Sequence, residues 1–222
     1  MSQMVFTFPP KEVYDAAAFL PMTCNSTALA GLERLSTQGR GMLFVHGPKG
    51  CGKTHFMHVA AARLGLKVWT PETLPANPTS GNCWVIDDIE RADADAQARL
   101  FHLFNHVQAS HGILLVASHV PASGLRMLPD LTSRLQTMPH VVLERLDQAH
   151  LQLLLVKLAA DRQIELEPAV IRYVLRHADR SPDMLEALLD DLDKTSLERQ
   201  KPVTIPLVKD VMARFIETEL RP

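Results

Sequence analysis

The chain has 222 residues, 46% of them apolar and 22% charged, with a formal net charge of −2. That length accommodates an α/β domain plus a small second unit, and the interspersed acids and bases exclude a domain-wide basic face for a nucleic-acid backbone. Cys24, Cys51 and Cys83 stand far apart without a CxxC, which excludes a disulfide frame or zinc site; with neither a signal-peptide pattern nor a run of ~20 apolar residues, the chain reads as cytoplasmic and free of membrane.

Met4, Phe6 and Phe8 alternate in "QMVFTFPP" (3–10), and Pro9-Pro10 discourage the stretch from continuing into a sheet. "YDAAAFLPMTCNSTALAGLERL" reads as a loop and then a helix, with Asn25 or Ser26 at its N-cap. Buried strands are expected at 42–46, 67–70, 83–87, 113–118 and 140–144, because these runs are continuously apolar rather than alternating. Between them, Phe56, Val59, Ala60 and Arg63 keep helical spacing before a Gly65 cap, as do Leu100, Leu103, Phe104 and Val107. Strands alternating with helices imply a parallel sheet covered on both faces. From Asp147 only helical patterns remain. Leu151, Leu154, Leu155 and Leu158 share a face, Pro168 and Ser181-Pro182 mark helix starts, and a last helix is expected after "VTIP". The expected division is a tail at 1–10, an α/β domain at 11–146 and an all-helical unit at 147–222.

"GPKGCGKT" (47–54) follows a strand and opens a helix, as a phosphate-binding loop requires. Gly47, Gly50 and Gly52 let backbone N–H groups curl around phosphate, and Pro48, Lys49, Cys51 and His55 are expected among the nucleotide-binding positions, while the helix start adds partial positive charge. Lys53 would reach the β- and γ-phosphates of ATP or ADP, and Thr54 would hold Mg²⁺. "CWVIDDIE" (83–90) ends a strand in two carboxylates: Asp87 for the Mg²⁺ shell and Asp88 to orient an attacking water. A metal site at Cys51, His55 and His58 is disfavoured, because the phosphate loop already accounts for that segment.

The loop, the Asp-Asp strand end, "LPDLTSRL" (128–135) and the helical C-terminal unit together resemble AAA+ proteins of the DnaA initiator branch, and within it the short regulatory inactivators of DnaA (Hda). The resemblance implies a parallel-sheet P-loop domain with a small helical lid. It implies that Phe19 and Asn25 line the adenine pocket, and that Arg134 is an arginine finger inserted beside a neighbour's nucleotide. Such a finger is worth about 10³–10⁵ in rate; the alternative for Arg134 is an ion pair with Asp130 one helical turn earlier. By the same resemblance Gln3, Met4, Phe6 and Phe8 would bind the DNA polymerase sliding clamp, as an extended peptide filling an apolar groove; the alternative folds the tail against its own domain. The implied function is negative regulation of chromosomal replication initiation, by promoting hydrolysis of DnaA-bound ATP. Homo-oligomers are compatible with the family, and sequence-specific DNA binding is not expected, the chain ending after the lid.

Three features depart from the branch. His119 stands where it usually has Asp, Asp183 stands where a cation should touch the phosphates, with Arg180 a candidate substitute, and the stretch from Thr54 to Asp87 is short. Losing a cation at the terminal phosphate weakens the transition state, so slow intrinsic hydrolysis and a lasting ADP form are expected. Two other readings remain open: a helicase loader or remodeller resembling DnaC, with DNA-stimulated hydrolysis, and a non-hydrolysing clamp adaptor.

Overall fold

The structure is a computed structural model that describes residues 20–77, 81–178 and 181–219, without the side chains of 183 and 214–219. Five parallel strands form one sheet in the order β2-β3-β4-β1-β5: β1 (Gly41–His46), β2 (Val68–Trp69), β3 (Cys83–Ile86), β4 (Ile113–Ser118) and β5 (His140–Val142). The central strands are continuously apolar because both faces are covered, and all six residues of β4 are buried.

Alternation along each strand divides the core. Phe44, Ile86, Leu114 and Val116 face α3 (Ala94–Ala109) and α4 (Pro129–Thr137), where they meet Leu103, Phe104 and Leu131. Leu43, Val45, Val85 and Leu115 face the other way, onto Leu32 of α1 (Ser26–Gln38) and Phe56 of α2 (Lys53–Leu64). Gly65 ends α2 in the left-handed region at φ 67°, as expected of a helix C-terminus.

The edge strands depart from the expected runs. The 140–144 run yields a strand of three residues with only Val141 buried, and Val142 is 49% exposed. With a single neighbour, β5 needs one apolar face only. The 67–70 run shortens to Val68–Trp69, both half-buried, and the Lys67 ammonium lies 3.5 Å over the Trp69 ring. Asn25 occupies the N-cap position of α1 without a capping bond. Its amide is spent on the preceding loop instead: Oδ1 accepts from Met22 N (2.8 Å) and Nδ2 donates to Leu20 O (2.9 Å).

The third core belongs to α5 (Gln148–Asp161), α6 (Pro168–His177), α7 (Pro182–Arg199) and α8 (Ile205–Glu219), with Leu155, Val174, Leu188, Leu192 and Val208 at its centre. Side chains set the helix starts. Asp147 accepts from His150 N and Ser181 from Met184 N, while Pro168 and Pro182 take first-turn positions where no amide partner is lost. The last helix begins inside "VTIP", at Ile205: Pro206 fits the first turn, and Thr204 O accepts from Val208 N at 2.9 Å.

Candidate functional site: a phosphate cleft beside an apolar pocket

The Gly47–Gly52 loop joins β1 to α2 at the carboxyl edge of the sheet. At Gly47 a Cβ would stand 2.1 Å from Leu143 O, so no larger residue fits. At Gly50 (φ 74°) it would stand 3.0 Å from Ser181 Cβ, because the start of α7 lies directly on the loop. Lys53 is only 7% exposed and donates to Gly47 O and Pro48 O, both at 2.9 Å, with Cys51 Sγ 3.9 Å away. The loop's own acceptors thus hold the ammonium where a phosphate would meet it. The first amides of α2 have no intrahelical acceptor, which suits the same anion. Burial pushes the Cys51 thiol up despite the nearby Lys53 charge.

Facing this loop is the turn after β3. Asp87 is buried and its Oδ1 accepts from Asp88 N at 2.9 Å. Asp88 adopts the left-handed region (φ 51°), and its carboxylate lines the cleft. Burial first, then the charges of Asp87 and Glu90, raise the Asp88 carboxyl above the usual carboxylate range. One acid is therefore in the core and the other is partly open. Glu90 and His119 complete the cleft, which encloses ≈ 200 Å³ with Lys49, Gly50, Gly52, Lys53 and Thr54 on its other wall. Glu90 Oε1 accepts from His119 N at 3.2 Å and pairs with the His119 ring Nδ1. Burial works to raise the Glu90 carboxyl, but hydrogen bonds from the His119 ring and amide, from its own backbone and from Ser118 together hold the group below its ordinary value.

An apolar pocket adjoins the cleft through Gly52. Leu20, Met22, Cys24 and Asn25 form one wall; Cys51 and His55 come from the loop and α2; Leu143 and Leu146 follow β5. Leu154 and Leu158 of α5 and Pro182 and Glu186 of α7 close it from the helical unit. His55 Nδ1 lies 3.6 Å from Glu186 Oε1, an ion pair across the two units when the ring is protonated. A polar groove beside an apolar slot matches the two ends of a nucleotide.

The sequence-selected residues divide accordingly. Gly50, Gly52, Lys49, Lys53, Thr54 and Asp88 meet in the cleft, with Gly47 and Pro48 holding Lys53; Cys51, His55 and Asn25 meet in the pocket. Asn25 shapes the pocket with its amide already bonded to backbone, and Asp87 sits behind Asp88 rather than on the cleft wall. Thr54, Asp88 and Glu90 bring oxygen groups to the cleft, with Asp87 behind Asp88. Arg134 lines neither cavity. Its guanidinium lies 4.7 Å from the Phe101 ring and 5.7 Å from Phe104, and no ion pair joins it to Asp130 among the described residues. Phe19, Arg180, Gln3, Met4, Phe6, Phe8 and the Asp183 side chain lie outside the described residues. Sequence reasoning missed Glu90 and Glu186. Glu90 stands in the "DDIE" already singled out, whereas nothing local marks Glu186, which only the packing of α7 on the loop brings to the site.

Comparisons with known proteins agree with this architecture. Residues 147–212 match the family described as the Hda lid domain. The fold is similar to domain III of the Thermotoga maritima replication initiation protein DnaA (TM-score 0.81, 21% identity, covering 94% of this chain and 99% of that one). It is also similar to AMPPCP-bound DnaA from Aquifex aeolicus (0.72, 18%, 83% and 66%) and to the T. maritima RuvB Holliday junction branch migration motor (0.65, 18%, 86% and 67%). The sheet order and helical lid are those of the AAA+ fold.

Proposed function

We propose that this chain, a DnaA-related AAA+ protein with an Hda-type lid, binds ADP or ATP and regulates replication initiation by promoting hydrolysis of ATP held by the DnaA initiator. The carrying observation is Arg134: half-buried on α4, stacked on Phe101, and apart from its own cleft. A guanidinium on an aromatic platform is held out at small entropic cost, and as a permanent planar cation it suits charge developing on a neighbour's γ-phosphate.

In the chain's own site, loop amides and Lys53 hold the phosphates, and the pocket beside Asn25 and His55 takes the base. Thr54, Asp88 and Asp87 support Mg²⁺, which supplies charge neutralisation at the phosphates. Asp88 orients water. With His119 and Asp183 at positions where the branch carries Asp and a cation, intrinsic turnover is slow and bound nucleotide serves mainly to fix loop and lid. The tail residues Gln3, Met4, Phe6 and Phe8 tether the protein to the sliding clamp.

The test is single-turnover hydrolysis by ATP-loaded DnaA with clamp on DNA, adding the chain or its Arg134→Ala variant. Acceleration that the variant loses, with its fold unchanged by circular dichroism, supports the reading. No acceleration by the intact chain overturns it, and DNA-stimulated hydrolysis by the chain alone would favour the loader. Loss of clamp binding in Phe6→Ala/Phe8→Ala tests the tether separately.

A further inference from the structure

The outer face of the helical unit carries a cluster that the proposed function does not use. α6 reads "PAVIRYVLRH", with two arginines and no acid. Val170 and Val174 are buried in the helical core, so the helical period puts Arg172 and Arg176 outside, one turn apart, beside Tyr173 and His177. The two rings stack, with centroids 4.1 Å apart and planes 20° from parallel, and His177 Nδ1 donates to Tyr173 O at 2.9 Å. From α8, the Lys209 ammonium lies 5.6 Å from the centre of the Tyr173 ring. Tyr173 is half-buried, whereas Arg172, Arg176, His177 and Lys209 are exposed.

Other cations of this unit are already engaged. Lys157 pairs with Asp161 at 3.2 Å, Arg162 with Asp190 at 2.7 Å and Arg199 with Asp210 at 2.9 Å, which occupies the acid next to Lys209 in sequence. Among the described residues no ion pair joins Arg172, Arg176 or Lys209. The face is thus locally cationic in a chain whose net charge is −2. His177 has one ring face on Tyr173 and its Nδ1 bonded, so the imidazole is held in place with its other face toward solvent. A fixed flat ring among unpaired cations suits a ligand that alternates π-surfaces with anions. An acidic peptide would use the charges and leave the stack idle. A duplex keeps its bases stacked inside and offers mainly phosphates to such a face.

We propose that this face of α6 and α8 binds single-stranded nucleic acid without sequence preference: a base extends the Tyr173–His177 stack, and Arg172, Arg176 and Lys209 neutralise the flanking phosphates. Every base has a π-face, so a stack selects strandedness rather than sequence. None of these residues lines the phosphate cleft or the apolar pocket, so the contact requires neither bound nucleotide nor DnaA.

The test is fluorescence anisotropy on the full chain without added nucleotide, using a labelled thymidine oligonucleotide of about 15 residues across a salt series. Arg172→Gln/Arg176→Gln should weaken binding about tenfold at low salt. It should also make the slope of log K against log salt shallower by about 1.4, since each phosphate contact to a single strand contributes roughly 0.7. A charge-matched control, Arg34→Gln/Arg40→Gln, at exposed positions of α1 and the loop after it, should leave affinity and slope unchanged. His177→Ala should lose about tenfold in affinity, the share of one stacked base. All substituted side chains are exposed, and circular dichroism checks that each variant keeps its helices. Equal losses in the two double variants, undiminished affinity in His177→Ala, or no binding by the intact chain would overturn the inference. So would equal affinity for a duplex of the same length, or displacement by polyglutamate as effective as by unlabelled oligonucleotide. Each of these outcomes leaves the nucleotide site and the action on DnaA standing.

Discussion

The cationic wall of the phosphate side comes from one continuous run, Gly47–Thr54, faced by Asp88, Glu90 and His119, whereas the apolar side is gathered from stretches scattered between Leu20 and Glu186. The difference follows from what each end must recognise. A phosphate is small and charged, so one turn of backbone amides and one ammonium can surround it. A flat apolar base needs area on several sides, and only packing between the sheet domain and the helical unit supplies that. Binding at the first end is thus a local property, and binding at the second reports how the lid sits.

Truncating Leu158 bears hardest on that distinction. It is 4% exposed in the helical core and also lines the pocket, so Leu158→Ala should cost about 3 kcal/mol in urea unfolding. ADP affinity should fall with it while pyrophosphate affinity does not; equal loss of both would erase the division. Next in size, Lys53→Ala should weaken ADP and pyrophosphate alike, by about a hundredfold in calorimetry, because a charge-assisted bond to phosphate is worth roughly 1.5–3 kcal/mol. A loss confined to ADP would mean that Lys53 acts through the lid.

The ion pair between His55 and Glu186 joins the two sides at 3.6 Å. Glu186→Gln should lower ADP affinity severalfold and leave pyrophosphate untouched, in line with a partly exposed pair worth about 1 kcal/mol or less. An effect on pyrophosphate would instead tie the phosphate loop to the lid. The smallest effect belongs to His46, which ends the strand feeding the loop. Burial, then the neighbouring His140 charge, hold its pKa below the ordinary imidazole value. A depressed histidine disfavours its charged form in the folded state, so its stabilising share is present above the unfolded pKa of about 6.5 and is lost as pH falls below it through the lower folded pKa. His46→Phe should flatten the thermal-stability profile on the acid side only; an identical profile would place that titration elsewhere.

Much of this was legible in the chain. The run 113–118 is the strand as expected, Lys53 and Asp88 face each other across the cleft, and Gly65 and Ser181-Pro182 mark helix boundaries. Each signal is short-range: a run of apolar residues, glycine spacing, a capping side chain. The edges were misjudged because Val142 looks buried by composition, and composition does not say which strand has a single neighbour. Asn25 looked like a cap by residue type, but its amide found nearer partners in the loop before it.

By itself, then, the sequence determined the α/β alternation, the phosphate loop and the all-helical C-terminal unit, because periodicity and backbone freedom are properties of neighbouring residues. Only the tertiary structure decided that Ser181 and Pro182 lie on the loop, that Glu186 meets His55, that Glu90 holds His119, and that Arg134 stacks on Phe101 outside its own cleft. Each of these joins residues far apart in the chain. Their encounter depends on strand order and on helix packing, which fix distances that no local pattern encodes.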